Sequence, residues 1–437
     1  MEIVETILVS AIVFLPLMYK ERFFIISFSL YLVTVFLIPQ SNYELLGGVK
    51  ISSLYLGIYL AIISFIQYGY KNGGTSTIII IYYLGLFLTV LFTTSIVPFP
   101  YQIQGFLRDF LCDLSTFFLC SLIFLKIRNY THYVINTMII ICVVICVYGI
   151  TCYMLEGFNP YVAMFDIEEV NMLNTTEARE YGESGRFFGR ITSVFFTPWA
   201  CGNYLSLTGV FLLLYYESCQ RKCFYWFLIC LFWTFVIITG NRSVFVTLFI
   251  TTLVFLWKKI NFGNTLFFLG LIVIVFVLYI FPHIPLLQTY FESIYDSNSV
   301  DSVTGSTSEG RYEQFLNCFE VWFEAPFFGH GYNWTSYYRF IHEGAQHPTL
   351  LGFESVFISL ACNCGFWGTV VWIGFMKKAY KFFHQINPDI TFLFLSYIIY
   401  ILITGIYSSY CYFLIYLFIA SHIKNVKKME ENTISYT

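Results

Sequence analysis

Apolar residues fill this chain in long unbroken runs. A helix needs about 20 of them in a row to cross a bilayer. Runs of that order cover 3–19, 22–38, 51–70, 76–97, 103–125, 132–155, 191–216, 224–239, 243–257, 265–282 and 352–376. A final run, 391–420, is too long for one upright span at about 1.5 Å per residue, and it breaks at "TGIYSS", Thr404–Ser409, so it predicts two short helices. The pattern predicts an all-α polytopic membrane protein with about 12–13 transmembrane helices, residues 1–437 forming one integral membrane domain.

Two long polar interruptions remain, 156–190 and 283–350. Inside the second, the period changes. From Ser308, Tyr312, Phe315, Leu316, Phe319, Trp322 and Phe323 recur at helical spacing, while Glu309, Glu313, Asn317, Glu320 and Glu324 take the other side. That predicts an amphipathic interfacial helix over about 308–325. Pro326 ends it, and Gly329 and Gly331 let the chain turn tightly within "PFFGHG".

Composition agrees with the pattern. Of 437 residues, 58% are hydrophobic and only 11% charged, against about 25% charged in a soluble domain; the mean hydropathy is +0.71. The net charge of -3 gives no sign of a nucleic-acid partner. "MEIVE" has no basic region ahead of the first run, which is therefore expected to be retained as a span. The 13 cysteines sit almost wholly in apolar runs without a C-x-x-C pair, which predicts small buried hydrophobes rather than a disulfide framework.

Charge placement sets the expected orientation. Cytoplasmic loops collect Lys and Arg, and every lysine except Lys50 falls on one alternating set of connections or in the C-terminal tail. The tail and that set are expected to be cytoplasmic. The N-terminus and both long loops then face the periplasm or cell exterior. The basic residues on that outer face are nearly all arginines: Arg179, Arg186, Arg190, Arg242, Arg311 and Arg339. Each one alone is explained by snorkelling or by pairing with a nearby acid. As a group they suggest an anionic ligand, because a guanidinium grips phosphate with two parallel bonds and an ammonium does not. Arg108, Asp109 and Asp113 lie within the span 103–125. A charge at mid-bilayer costs about 2.5–3.5 kcal/mol on insertion scales, so Arg108 is expected to pair with a carboxylate.

"GRITSVFFTPWACGNYL", "TGNRS", and the sequence of an arginine, an amphipathic helix, "PFFGHG" and a span with "ESVFISLACNCGFWG" together resemble the O-antigen polymerase (Wzy-type) and O-antigen ligase superfamily, from about Gly189 to Gly368. The resemblance implies a glycosyltransferase of the bacterial cytoplasmic (inner) membrane. Its partners would be the lipid bilayer, a polyprenyl-diphosphate-linked oligosaccharide, a chain-length regulator and a flippase. It implies a polysaccharide polymerase of the O-antigen or capsule type, which moves a growing glycan from its polyprenyl diphosphate onto a lipid-linked repeat unit. Arg190, Arg242, Arg311 and Arg186 would bind the diphosphate. Glu354 and His347 are the candidate bases; Glu354 stands eleven residues before Gly365, where ligase-like members carry histidine. Helical geometry would put these two on one face. The ordinary readings are that Glu354 caps a helix or pairs with an arginine and that His347 is a solvated loop residue. Neither long loop holds an Asp-x-Asp pair, so no metal or other cofactor is expected. The alternatives are an O-antigen ligase and a lipid-linked oligosaccharide flippase.

Overall fold

The computed structural model describes residues 2–18, 20–38, 42–45, 49–69, 76–93, 96–125, 127, 131–155, 158–163, 191–195, 198–216, 219, 221–259, 308–342, 347–350, 353, 355–404 and 410–434. Apart from an antiparallel hairpin of β1 (Asn42–Leu45) and β2 (Val49–Ser52), the elements are helical. They are α1 (Glu2–Phe14), α2 (Glu21–Leu37), α3 (Ser53–Tyr68), α4 (Ser76–Phe92), α5 (Phe99–Leu125), α6 (Thr131–Met154), α7 (Pro160–Ala163) and α8 (Pro198–Tyr215). There follow α9 (Lys222–Ile238), α10 (Arg242–Lys259), α11 (Ser308–Glu324), α12 (Trp334–Ile341), α13 (Val356–Ile386), α14 (Ile390–Ile403) and α15 (Cys411–Ile434).

One continuous apolar core runs through the bundle, from Ile12 and Phe24 through Phe117, Ile145 and Phe211 to Phe418. The outside is apolar as well. Ile62, Phe65, Leu84, Ile140, Trp226, Phe227, Trp257 and Ile373 are all exposed. A soluble monomer rarely shows apolar surface on that scale, whereas a helical bundle in lipid does. Among the described residues, α6 and α13 are each long and apolar enough to cross a bilayer, and the other apolar helices are shorter.

Two sequence expectations meet local chemistry. The run 391–420 is indeed two helices, α14 and α15, separated at Thr404. Among the described residues of the run 191–216, the helix runs from Pro198, which suits proline's missing N–H at a helix start. Residues 191–195 are irregular, with Ser193 at φ 53°; the Ser193 hydroxyl donates to the Ile145 carbonyl (2.7 Å) and Asn159 Nδ2 donates to the Ser193 carbonyl (2.5 Å). These side-chain bonds replace the helical ones that the segment lacks. The expected run 265–282 lies outside the described residues, as do 164–190 and 283–307.

The lysine asymmetry carries a labelling prediction. With the exposed Cys223 and Cys230 replaced by serine, Glu320→Cys should react with an impermeant maleimide added to intact cells, and Gln385→Cys should not. Both positions are exposed, whereas neighbouring Asn387 is buried with its amide on the Ala420 carbonyl (2.9 Å) and would mislead. External labelling at position 385 would reverse the orientation.

Candidate functional site

α11 packs on the bundle through a narrow stripe, Gln314, Cys318 and Val321, all buried. Cys318 Sγ lies 4.0 Å from Cys362 Sγ of α13. Small side chains let the two helices approach closely. The large residues Tyr312, Phe315, Leu316 and Phe323 are exposed, so the broad apolar face that the sequence shows is turned away from the protein. An exposed aromatic face on a helix with a glutamate-rich opposite edge suits the bilayer surface.

The chain after α11 explains why "PFFGHG" interrupts the apolar sequence. α13 is broken at Gly365 (φ 64°, ψ -159°). The break removes helical partners from the peptide groups around it, and in a membrane these must be satisfied by protein. The segment Pro326–Gly331 supplies them. His330 N donates to Cys362 O (2.8 Å) and Gly331 N to Asn363 O (3.0 Å). In return Phe366 N donates to Pro326 O (2.8 Å) and Trp367 N to Phe327 O (3.0 Å). Glycine is required on both sides of this clasp. A Cβ on Gly329 (φ 70°) would lie 2.5 Å from Asn363 C, and one on Gly365 would lie 2.5 Å from Gly329 N. Asn363 Oδ1 also accepts from Thr335 N (2.9 Å), which ties α12 to the same point.

Beyond the clasp a small aromatic core forms from Val97, Cys318, Val321, Trp334, Leu350, Phe353, Ile358, Ala361 and Cys362. His330 stacks on Trp334 (4.7 Å between ring centres), and its Nε2–H donates to the Val321 carbonyl (2.9 Å). Phe353 is buried against Trp334 (5.7 Å) and His347 (5.7 Å), with the Arg339 guanidinium 5.8 Å from its ring centre. Its backbone is left-handed, φ 54°, a conformation that a bulky side chain adopts only where surrounding packing enforces it. Ser355 then caps α13, its Oγ accepting from Phe357 N (3.2 Å). The capping role considered for Glu354 therefore falls to Ser355.

His347 is neither helical nor fully solvated. Residues 347–350 form a turn, so His347 does not stand on a helical face, and Glu354 lies outside the described residues. His347 Nδ1 accepts from the backbone N–H groups of Thr349 and Leu350, both at 3.2 Å. The ring is half-buried beside Tyr338 (4.8 Å). Burial holds its pKa below the ordinary histidine value; Glu324 opposes that shift, while His330 and His342 add to it. The imidazole is thus neutral near pH 7. With Nδ1 occupied as an acceptor, the proton sits on Nε2. His347 accordingly offers a donor to a ligand.

Of the other expected site residues, Arg242 opens α10 and Arg311 lies in the first turns of α11; their side chains, and Arg186, Arg190 and Glu354 altogether, lie outside the described residues. The structure adds a polar strand of contacts that the sequence only hinted at. Tyr332, next to the clasp, donates its hydroxyl to Asp109 Oδ2 (2.9 Å) and its N–H to Gln102 Oε1 (3.0 Å). Arg108 pairs with Asp109, as expected, Nε to Oδ1 at 3.1 Å. One turn deeper, Asp113 accepts from the Tyr83 hydroxyl (2.6 Å) and from Tyr410 N (2.8 Å). The two aspartates were visible as charges in a span; Tyr332, Gln102 and Tyr83 carried no signal among so many aromatic and polar neighbours.

No curated protein matches the chain. Residues 226–373 match the family described as O-antigen ligase. The matched stretch begins in α9, includes the Arg242 turn, α11, the clasp and the Phe353 turn, and ends in α13 just past the break at Gly365. Through this stretch the chain is similar to the membrane proteins of the O-antigen polymerase and ligase superfamily.

Proposed function

We propose that this protein is a metal-independent polysaccharide polymerase, joining lipid-linked repeat units at the outer face of the membrane. The observation that carries the reading is α11. It is held to a broken membrane helix by its small stripe and the clasp, while its aromatic face is turned outward, and Arg311 stands in its first turns. That is a platform for a substrate whose anionic head lies at the lipid surface and whose tail lies within it.

In the proposed reaction an acceptor sugar hydroxyl attacks the anomeric carbon of the donor glycan. The new C–O bond forms as the bond to the diphosphate breaks, and the diphosphate leaves with the electron pair. Arg190, Arg242 and Arg311, with Arg186 beside them, neutralise the departing charge. Glu354 takes the hydroxyl proton. His347, its Nε2–H free to donate, binds a phosphate or sugar oxygen rather than acting as the base. The carboxylate at position 354, where ligase-like members carry histidine, favours polymerase. The family description favours the second reading, a ligase that joins finished glycan to another acceptor.

Deletion of the protein separates the two. A polymerase defect leaves single lipid-linked repeat units. A ligase defect leaves long chains still attached to polyprenyl diphosphate, and that result would replace the proposed function with the second reading. Units trapped on the cytoplasmic side would point to a flippase and remove both.

A further inference from the structure

Arg108 lies nine residues into α5, about 14 Å along the helix from Phe99. The residues exposed around it are mostly apolar: Leu107 and Leu111 on either side, and Ile96 and Phe99 nearer the start of the helix, with the polar Gln104 one turn before it. The Arg108 side chain is nevertheless 56% exposed, while the side chain of Asp109 that holds it is 5% exposed. A charge is not stable facing hydrocarbon tails alone; it needs water or a counter-charge. Asp109 engages only Nε, on the inner side. The outer fork, Nη1 and Nη2, has no hydrogen-bond partner among the described residues. A guanidinium fork left open on an exposed side chain within a largely apolar helix surface fits one chemistry well, the oxygens of a phosphate carried by a lipid.

The position of Arg108 is also connected to the clasp. Asp109 holds the guanidinium through Oδ1 and the Tyr332 hydroxyl through Oδ2, and Tyr332 follows Gly331, whose N–H closes on the broken helix at Asn363. Gln102 fixes the Tyr332 backbone from the same face of α5. A phosphate on Arg108 would therefore sit two hydrogen bonds from the segment that builds the candidate site.

We infer that Arg108 is a lateral binding site for a lipid-borne phosphate. Resting on the proposed function, it takes the diphosphate of the second lipid-linked substrate. A polymerase handles two such lipids: the donor, which loses its diphosphate, and the acceptor, which keeps it. The arginines of the outer loops serve the first, and Arg108 serves the second. Asp109 is a positioning residue that aims the fork.

The test is native mass spectrometry of the full-length protein released from phosphatidylcholine nanodiscs containing polyprenyl diphosphate. The wild type should retain two polyprenyl diphosphates. Arg108→Gln should retain one, Arg242→Gln should retain one, and the double variant none. Arg108→Lys keeps the charge but loses the fork, and should hold the second lipid at least tenfold more weakly; it keeps the test valid if Arg108→Gln does not fold. Parallel samples carry phosphatidylglycerol or inorganic diphosphate in place of the polyprenyl lipid. Two lipids retained by Arg108→Gln, or only one by the wild type, overturns the inference and leaves the proposed function standing. Occupancy of the Arg108 site by phosphatidylglycerol or inorganic diphosphate as readily as by polyprenyl diphosphate overturns it equally. A wild type that retains no polyprenyl diphosphate removes both.

Discussion

Glu354→Gln should abolish chain growth and leave single lipid-linked repeat units, with the protein at its normal level in the membrane. The substitution keeps shape and hydrogen bonding and removes basicity. An acceptor hydroxyl gives up its proton as it attacks, and a positioned base typically contributes 10²–10⁴ in rate. Glutamine cannot take that proton. Binding of the donor should change little, because the arginines remain. His347→Ala should be milder. Its Nδ1 is committed to the Thr349 and Leu350 N–H groups, so the ring provides a donor and a brace for the turn, not a base. The measurement is in vitro polymerisation of purified lipid-linked repeat units by the two variants side by side. Normal growth by Glu354→Gln would remove it from the mechanism. Loss of activity in His347→Ala alone would pass the role of base to the histidine and contradict the tautomer that the turn imposes.

The second large effect concerns the clasp. Gly365→Ala should destabilise the protein by on the order of 3 kcal/mol or more, since a side chain in this region of backbone space is strained and the atoms in its way are backbone. The new methyl would meet Gly329 N at 2.5 Å and the Phe327 carbonyl at 2.7 Å. Relief requires the clasp to open, which leaves the Cys362 and Asn363 carbonyls and the Phe366 and Trp367 amides without partners. Gly374→Ala is the matched control. It lies in the same helix, α13, and its Cβ meets nothing within 4 Å; alanine there should be neutral or slightly stabilising. Thermal unfolding of both variants in detergent reads the difference, and equal melting temperatures would mean that the clasp does not hold the break closed. The same variant should shorten polymer in cells, because α11, α12 and the Phe353 turn all lean on that joint.

Much of this protein was legible in the sequence because lipid imposes a simple rule. Any segment crossing a bilayer must be apolar and must satisfy its own peptide groups. Composition, the run lengths and the two-part ending at Thr404 followed from that rule, and the amphipathic period from Ser308 marked a helix at the surface. The glycines of "PFFGHG" and the odd charges at Arg108, Asp109 and Asp113 were visible as exceptions. What they do was not visible. That Gly329 and Gly365 pair across a broken helix, that the aromatic side of α11 faces outward while Gln314, Cys318 and Val321 face in, and that Asp109 joins Arg108 to Tyr332 are all contacts between positions far apart in the chain. Hydropathy treats each run alone and cannot choose its neighbours. The tertiary structure decided them, because a break in a membrane helix, like a charge within one, is stable only where another part of the protein arrives to complete its hydrogen bonds.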